Sequence, residues 1–286
     1  MFFRRHLAPG HAVVTGAASG LGREIAAALL REGWRVACVD LPEALAGAAD
    51  WEDAPPGGQP LAAGFDVRDL AGWRTLHDRL RAEWPALDLL VNNAGVGATG
   101  EVGTLPEAQW RRVLDTNLLG TALGCETFLP WLREHPRRSH VVNVASIAAI
   151  LAPPSMAAYA ASKAGVVALS EAIAAECPRG RPGVTVVCPG FFRSGLLGTW
   201  HFTSAVEQRE ARRRMDAALW DSRRVAGRVL RAVHRNRRYV VVGLQARWLW
   251  RLKRLAPRAT TALVRGIYRR VERRSARGQP PSGGPP

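Results

Sequence analysis

Lysine is almost absent from this chain: among 40 Lys+Arg in 286 residues, only Lys163 and Lys253 are lysine. Cysteine is scarce too, with Cys38, Cys125, Cys177 and Cys188 far apart, in neither metal-ligand spacing nor a paired framework. That pattern excludes a zinc module or a disulfide scaffold, leaves no metal expected, and fits a reducing cytoplasm. No apolar run approaches the roughly 18 residues that would span a bilayer. The opening residues give way to the first strand pattern too soon for a cleaved leader, so the chain is expected to be soluble or peripherally bound. No internal repeat suggests a solenoid. Acids run short toward the C-terminus: residues 207–286 hold 22 Lys+Arg against five Asp+Glu, a balance of +17, while the rest of the chain sums to −1.

Against the scarcity of lysine and of tyrosine, of which there are three, the stretch Tyr159-Ala-Ala-Ser-Lys163 stands out. Composition alone gives a Tyr-x-x-x-Lys pair only about 0.02 times in a chain of this size. The surrounding Ala-, Val- and Leu-rich run has no proline and predicts a helix over 156–177. Residues i and i+4 share a helical face, so the phenol and the ammonium lie side by side. A nearby cation favours the phenolate, and a tyrosine so placed can exchange a proton with an alcohol or a ketone.

A second pattern lies near the N-terminus. His11 to Thr15 reads as a buried strand, Gly16-Ala-Ala-Ser19-Gly20-Leu21-Gly22 as a glycine turn, and the run from Arg23 to Glu32 as a helix. Glycines let the backbone turn tightly beside a ligand, and a helix N-terminus presents free amides to a pyrophosphate. The next strand pattern ends at Asp40, near the offset at which an acid binds the ribose hydroxyls of a dinucleotide. An acid there repels a 2′-phosphate, so NAD is favoured; Arg23 nearby leaves NADP as the alternative.

In order and spacing, Thr15-Gly16-x-x-x-Gly20-x-Gly22, Asn92-Asn93-Ala94-Gly95, Asn117, Ser146, Tyr159-x-x-x-Lys163 and Pro189-Gly190 resemble the short-chain dehydrogenase/reductase family. The resemblance spans residues 10–243. It implies a Rossmann fold and reversible hydride transfer between a carbinol carbon and a nicotinamide; the alternatives are an NADP-dependent 3-ketoacyl-type reductase, which Asp40 argues against, and a non-catalytic dinucleotide-sensing or membrane-bound scaffold, which the intact Asn117, Ser146, Tyr159 and Lys163 argue against. By the same resemblance, Tyr159 is the general acid/base, Lys163 lowers its pKa and holds the nicotinamide ribose, Ser146 orients the substrate oxygen, and Asn117 keeps a water on the proton route. Gly16, Ser19, Gly20, Leu21, Gly22 and Asp40 would hold the adenosine half, with Asp66 and Val67 at the adenine. Asn93, Ala94, Gly95, Pro189 and Gly190 would line the rest of the cofactor site. Ser194 stands where family members commonly place a threonine that holds the carboxamide. The family also suggests homodimers or homotetramers through helices near 104–133 and 156–177.

Strand patterns near 11–15, 34–39, 61–65, 87–91, 139–145, 184–188 and 239–242 alternate with helical runs. This predicts an α/β, doubly wound parallel sheet in a single domain, 1–243, with a C-terminal basic helical extension over 244–286. Residues 48–60 read as an exposed loop and 277–286 as a disordered tail. Segments 96–102, 147–158 and 191–202 are apolar and read as pocket walls, with 191–215 as a lid, favouring a lipophilic alcohol or ketone over a sugar or acid. The basic helices at 245–255 and 260–271 mix Arg with Trp, Leu and Ile. That composition suits packing on the domain or another subunit, or an anionic membrane surface; nucleic acid is disfavoured because no recognition motif accompanies the charge.

Overall fold

A computed structural model of the chain describes residues 9–47 and 58–277. The expected tail and opening segment lie largely outside these residues, as does most of the expected loop. The elements run β1 (His11–Thr15), α1 (Gly20–Arg31), β2 (Arg35–Asp40), α2 (Pro42–Ala46), β3 (Gln59–Gly64), α3 (Leu70–Glu83), β4 (Leu89–Asn92) and β5 (Gly97–Thr99). They continue with α4 (Glu107–Leu114), α5 (Gly120–Arg133), β6 (His140–Val144), α6 (Ala148–Leu151), α7 (Ala157–Glu176), β7 (Gly183–Pro189), β8 (Trp200–Phe202) and α8 (Ala205–Asp216). Last come α9 (Ser222–His234), β9 (Tyr239–Val242), α10 (Leu244–Leu255) and α11 (Pro257–Arg277).

Seven parallel strands form one sheet in the order β3-β2-β1-β4-β6-β7-β9. From β1 the chain first winds outward to β3, then returns to the other side of β1 with β4. The C-terminal ends of β1 and β4 therefore border the crevice where such sheets bind ligands. One face is covered by α1 and α9, whose Ile25, Leu29, Val225 and Val229 pack on Val14 and Val36. The other is covered by α3, α5 and α7, with Trp73, Leu80, Phe128 and Ile173 against Val13, Leu90 and Val141. This is the doubly wound architecture that the alternating pattern predicts.

Three differences have physical reasons. Pro60, expected in a loop, belongs to β3, which pairs with β2 from Gln59 onward. As the outermost strand β3 tolerates a residue without an amide hydrogen. β5 and β8 form a separate two-stranded parallel sheet, Gly97 to Thr99 against Trp200 to Phe202, too short for a periodicity to announce. Between α4 and α5 the helix widens into a π-turn over Asp115–Leu119, a distortion common at functional positions. Among the described residues no helix is long and apolar enough to cross a membrane.

Trp73 holds the α3–α5 layer together. It is fully buried, its indole N–H donates to the Val67 carbonyl at 2.8 Å, and its ring meets Phe65 and Phe128 edge-on. A Cβ on Gly124 would lie 2.9 Å from the same ring, so the missing side chain on α5 is space that Trp73 fills. Trp73→Ala is expected to cost about 3–5 kcal/mol. Urea unfolding checks this, and a loss below about 1 kcal/mol would contradict it.

Candidate active site

The crevice is closed at its base by Thr15, the last residue of β1. Its hydroxyl accepts from the backbone N–H of Asn93 (2.9 Å) and Ala94 (3.0 Å). The Asn93 amide returns the contact, donating to the carbonyls of Thr15 (2.9 Å) and Gly16 (3.3 Å). The loops after β1 and β4 are thus tied into one floor. Over it runs the glycine turn, with Gly16 and Gly20 at φ of 65° and 54°. A Cβ on Gly22 would lie 2.0 Å from the Gly16 carbonyl oxygen, so α1 can start this close to β1 only without a side chain there. The first turn of α1 has no acidic residue and no side-chain cap, which leaves its amides open to an anion.

Asp40 sits at the end of β2 beside this turn. One carboxylate oxygen accepts from Ala18 N–H at 2.9 Å and the other from Leu41 N–H at 2.9 Å. Asp66 is gripped by Arg68, whose guanidinium donates at 2.6 to 3.0 Å, and this hydrogen bonding holds its carboxyl below the usual carboxylate range. Val67 is buried and packs toward Gly120, where an added Cβ would lie 2.8 Å from a Val67 methyl. Asn92, by contrast, faces away from the crevice into a buried chain in which it donates to Asn143 (2.9 Å) and Asn143 to Ser170 (3.0 Å). At the far wall the Ile147 N–H donates to the Pro189 carbonyl at 2.9 Å. Gly190 follows. Gly20 looks across at Ser194, with a Cβ placed on it 3.8 Å from the Ser194 Cβ, and the buried Ser194 hydroxyl has no hydrogen-bond partner among the described residues. An open helix start, a ribose-ready carboxylate and an orphan hydroxyl bordering one cleft fit a dinucleotide.

Asn117, Ser146, Tyr159 and Lys163 come together at the mouth of this cleft. Ser146 follows β6, lies beside the Tyr159 phenol, whose pKa it lowers, and accepts from Ala148 N–H at 3.1 Å. Lys163, one turn along α7, is only 4% exposed and donates to the Val144 carbonyl at 2.8 Å. Its ammonium lies 5.9 Å from the centre of the Tyr159 ring. A Cβ on Gly95 would come within 3.0 Å of the Asn117 Oδ1 and 3.3 Å of the Lys163 Nζ. Asn117, held in the π-turn, accepts from Val96 N–H (2.8 Å) and donates to Val96 O (3.0 Å) and Ser162 Oγ (2.9 Å).

Burial acts on both the Tyr159 phenol and the Lys163 ammonium. Burial pushes the phenol up to about 12, and the Ser146 hydrogen bond pulls back only part of the way. Burial likewise pushes Lys163 down to about 8. One of the three ammonium donors goes to the Val144 carbonyl, and among the described residues none is seen on the phenol oxygen.

Trp200 is the feature that spacing did not reveal. It faces Gly97 across the β5–β8 pair, where any Cβ would collide with the indole at 2.0 Å, and its ring lies 5.1 Å from that of Tyr159. The segment carrying it is fastened by Arg112 to the Thr199 carbonyl (2.6 Å) and by Glu207, which accepts from Thr99 (2.8 Å) and Thr203 (3.1 Å). Around Tyr159, Trp200 joins Ala98, Val113, Ala148, Ala158, Met156 and Trp110 in one apolar cluster. The three expected wall segments therefore do meet. A groove of about 520 Å³ lies between Ala157, Ala161 and Ala164 of α7 and the loops at Val102 and at Pro153 and Pro154, and Tyr159 is not among its lining residues.

Comparison with known proteins agrees with this geometry. Residues 10–203 match the model of the short chain dehydrogenases. The chain belongs to that family. Its members are oxidoreductases. A probable oxidoreductase of Mycobacterium tuberculosis, EphD, is 33% identical over 260 residues, covering 88% of this chain but 44% of its own length. The chain thus spans under half of that mycobacterial relative. 2-(S)-hydroxypropyl-CoM dehydrogenase 3 of Xanthobacter autotrophicus is 34% identical over 185 residues, 65% of this chain and 72% of its own. Among solved structures, a short chain dehydrogenase/reductase from Burkholderia phymatum in complex with NAD superposes with a TM-score of 0.81 at 29% identity, covering 89% of this chain and 95% of the other.

The buried Lys163 gives the site a pH signature. Below about 8 its charge is held in the interior at a cost the unfolded chain does not bear. That cost is relieved as pH rises through 8 toward the ordinary lysine value of 10.5. The stability of the natural chain relative to Lys163→Met should therefore climb over this window, by up to about 3 kcal/mol. Thermal midpoints of the two proteins across that window check it; a constant or falling difference would contradict a buried ammonium.

Proposed function

We propose that the chain is an NAD(H)-dependent dehydrogenase that interconverts a lipophilic secondary alcohol and its ketone. The observation that carries this reading is the Tyr159 phenol, buried beside Ser146 and enclosed by apolar residues at the mouth of the cleft. Bound NAD(H) supplies the hydride acceptor or donor. Gly16, Ser19, Gly20, Leu21 and Gly22 would seat the pyrophosphate on the amides opening α1, and Asp40 the adenosine ribose, its charge set against a 2′-phosphate. Asp66 and Val67 would border the adenine, Asn93, Ala94 and Gly95 the floor, and Pro189, Gly190 and Ser194 the nicotinamide end. Lys163, below Gly95, would hold the second ribose, and Asn117 positions Val96 and Ser162 around it.

In the proton step Ser146 would hold the substrate oxygen while Tyr159 Oη donates to it or accepts from it. A phenol kept protonated by burial is a ready donor to a carbonyl, which supports ketone reduction near neutral pH. Alcohol oxidation needs the phenolate and gains as pH rises. Lipophilic substrates suit the walls: between them, Ala98, Ala148, Ala158, Met156, Trp110 and Trp200 offer little to a charged ligand.

Replacing Tyr159 by Phe removes one oxygen and keeps the ring. Turnover should fall at least about 10³-fold while NAD affinity stays within about twofold and exceeds that for NADP. Parallel kinetics and nucleotide titration measure both; an active Phe variant, or tighter NADP binding, would overturn the corresponding assignment. Trp200→Ala opens space directly over the phenol. Its kcat/KM for bulky ketones should rise about tenfold relative to small ones, and an unchanged ratio across a graded series would remove Trp200 from the substrate wall.

A further inference from the structure

The C-terminal helices carry a pattern that the oxidoreductase reading does not use. The side of α10 turned to the domain holds the buried Ala246 and the half-buried Trp250, which meets Tyr239 at 5.8 Å. Its opposite side should be polar in a helix that merely covers a core. Instead Leu244, Trp248, Arg251 and Leu255, at intervals of four, three and four, form a single outward stripe, with Leu244 83%, Trp248 59% and Leu255 86% exposed. α11 repeats the arrangement. Thr260, Val264 and Tyr268 face inward, while Leu263 and Ile267, four residues apart, face out at 41% and 42% exposure.

Cations rim both stripes. Arg251, Arg254, Arg258, Arg265, Arg269 and Arg270 are all exposed, and residues 244–277 contain 11 Lys+Arg against the single acid Glu272. This charge decides among occupants. A second copy seated on the same face would bring ten net positive charges against ten, a repulsion that apolar stripes this narrow do not offset. A nucleic acid would engage the arginines but leave two leucines and a tryptophan facing water. An anionic bilayer meets both demands, with phosphates for the guanidiniums and the interfacial zone for Trp and Leu.

We propose that α10 and α11 form a docking surface for an anionic lipid bilayer. The helices are fixed to the body of the protein. The Tyr268 hydroxyl donates to Glu101 at 2.9 Å and lies 2.9 Å from the Ser155 hydroxyl, and Gly100 N–H donates to the Ser155 carbonyl at 2.8 Å. Those residues border β5 and the loop before α7. Docking therefore holds the Tyr159 end of the cleft at a set position relative to the lipid surface. The surface does not depend on which alcohol or ketone the site accepts.

The test is flotation of the full chain with phosphatidylcholine vesicles, alone or with about one third phosphatidylglycerol, beside the triple variant Leu244→Ser, Trp248→Ser, Leu255→Ser. These side chains are exposed and every arginine is kept, so far-UV circular dichroism should match the natural chain. The expected result is flotation with the anionic vesicles only, and a loss of at least tenfold in vesicle affinity in the variant. Absence of flotation by the natural chain, or equal flotation of the variant, would overturn the proposal. So would tighter binding to duplex DNA than to the vesicles at the same salt, or a self-association that the triple variant abolishes.

Discussion

A single buried ammonium sets the constraint that the candidate site is built around. A charge taken out of water must be given partners or it neutralises, and Lys163 has the Val144 carbonyl at 2.8 Å and little else of full strength. Its neighbours are arranged accordingly. Gly95 has no side chain to intrude, Asn117 is clamped to Val96 by two hydrogen bonds, and the Tyr159 ring covers one side. Burial shifts the phenol and the amine each toward its neutral form, one up and one down. The two shifts share one cause, and anything that brings hydroxyls and charge into the cleft acts on both.

The topology makes this economical. Because β1 and β4 are neighbours in the sheet but far apart in sequence, the turns that follow them open on the same crevice, and the Thr15 hydroxyl fastens one to the other. β6 delivers Ser146 and the Val144 carbonyl next door, and α7 crosses behind with Tyr159 and Lys163 one turn apart. Four elements, none adjacent to all the others in sequence, therefore meet at the carboxyl edge of the sheet.

What the sequence makes legible follows from range. The glycine turn, Asp40 and the Tyr-Lys pair are each encoded within one turn or one strand end, where spacing and residue type carry the geometry. The doubly wound parallel sheet followed from strands alternating with helices. The long-range pieces left no such mark. β5 and β8 are three residues each, some hundred positions apart, and only the collision that a side chain at Gly97 would have with Trp200 explains the choice of glycine there. Pro60 read as a loop because its tolerance depends on β3 being an edge. That Lys163 and Tyr159 lie side by side was legible because i and i+4 share a face, whereas the Val144 carbonyl that takes one ammonium donor comes from a strand distant in sequence.

Trp200 and Tyr268 show how the parts outside the motifs bear on the site from two sides. Trp200 lies tilted against the phenol ring at 5.1 Å, on a segment held by Arg112 and Glu207. Tyr268 grips Glu101 and Ser155 from α11. The Glu101 loop runs directly on from β5, the strand that seats Trp200. The contacts of Tyr268 thus fall on the loop and strand that border the Trp200 wall, so α11 is packed against the frame of the site.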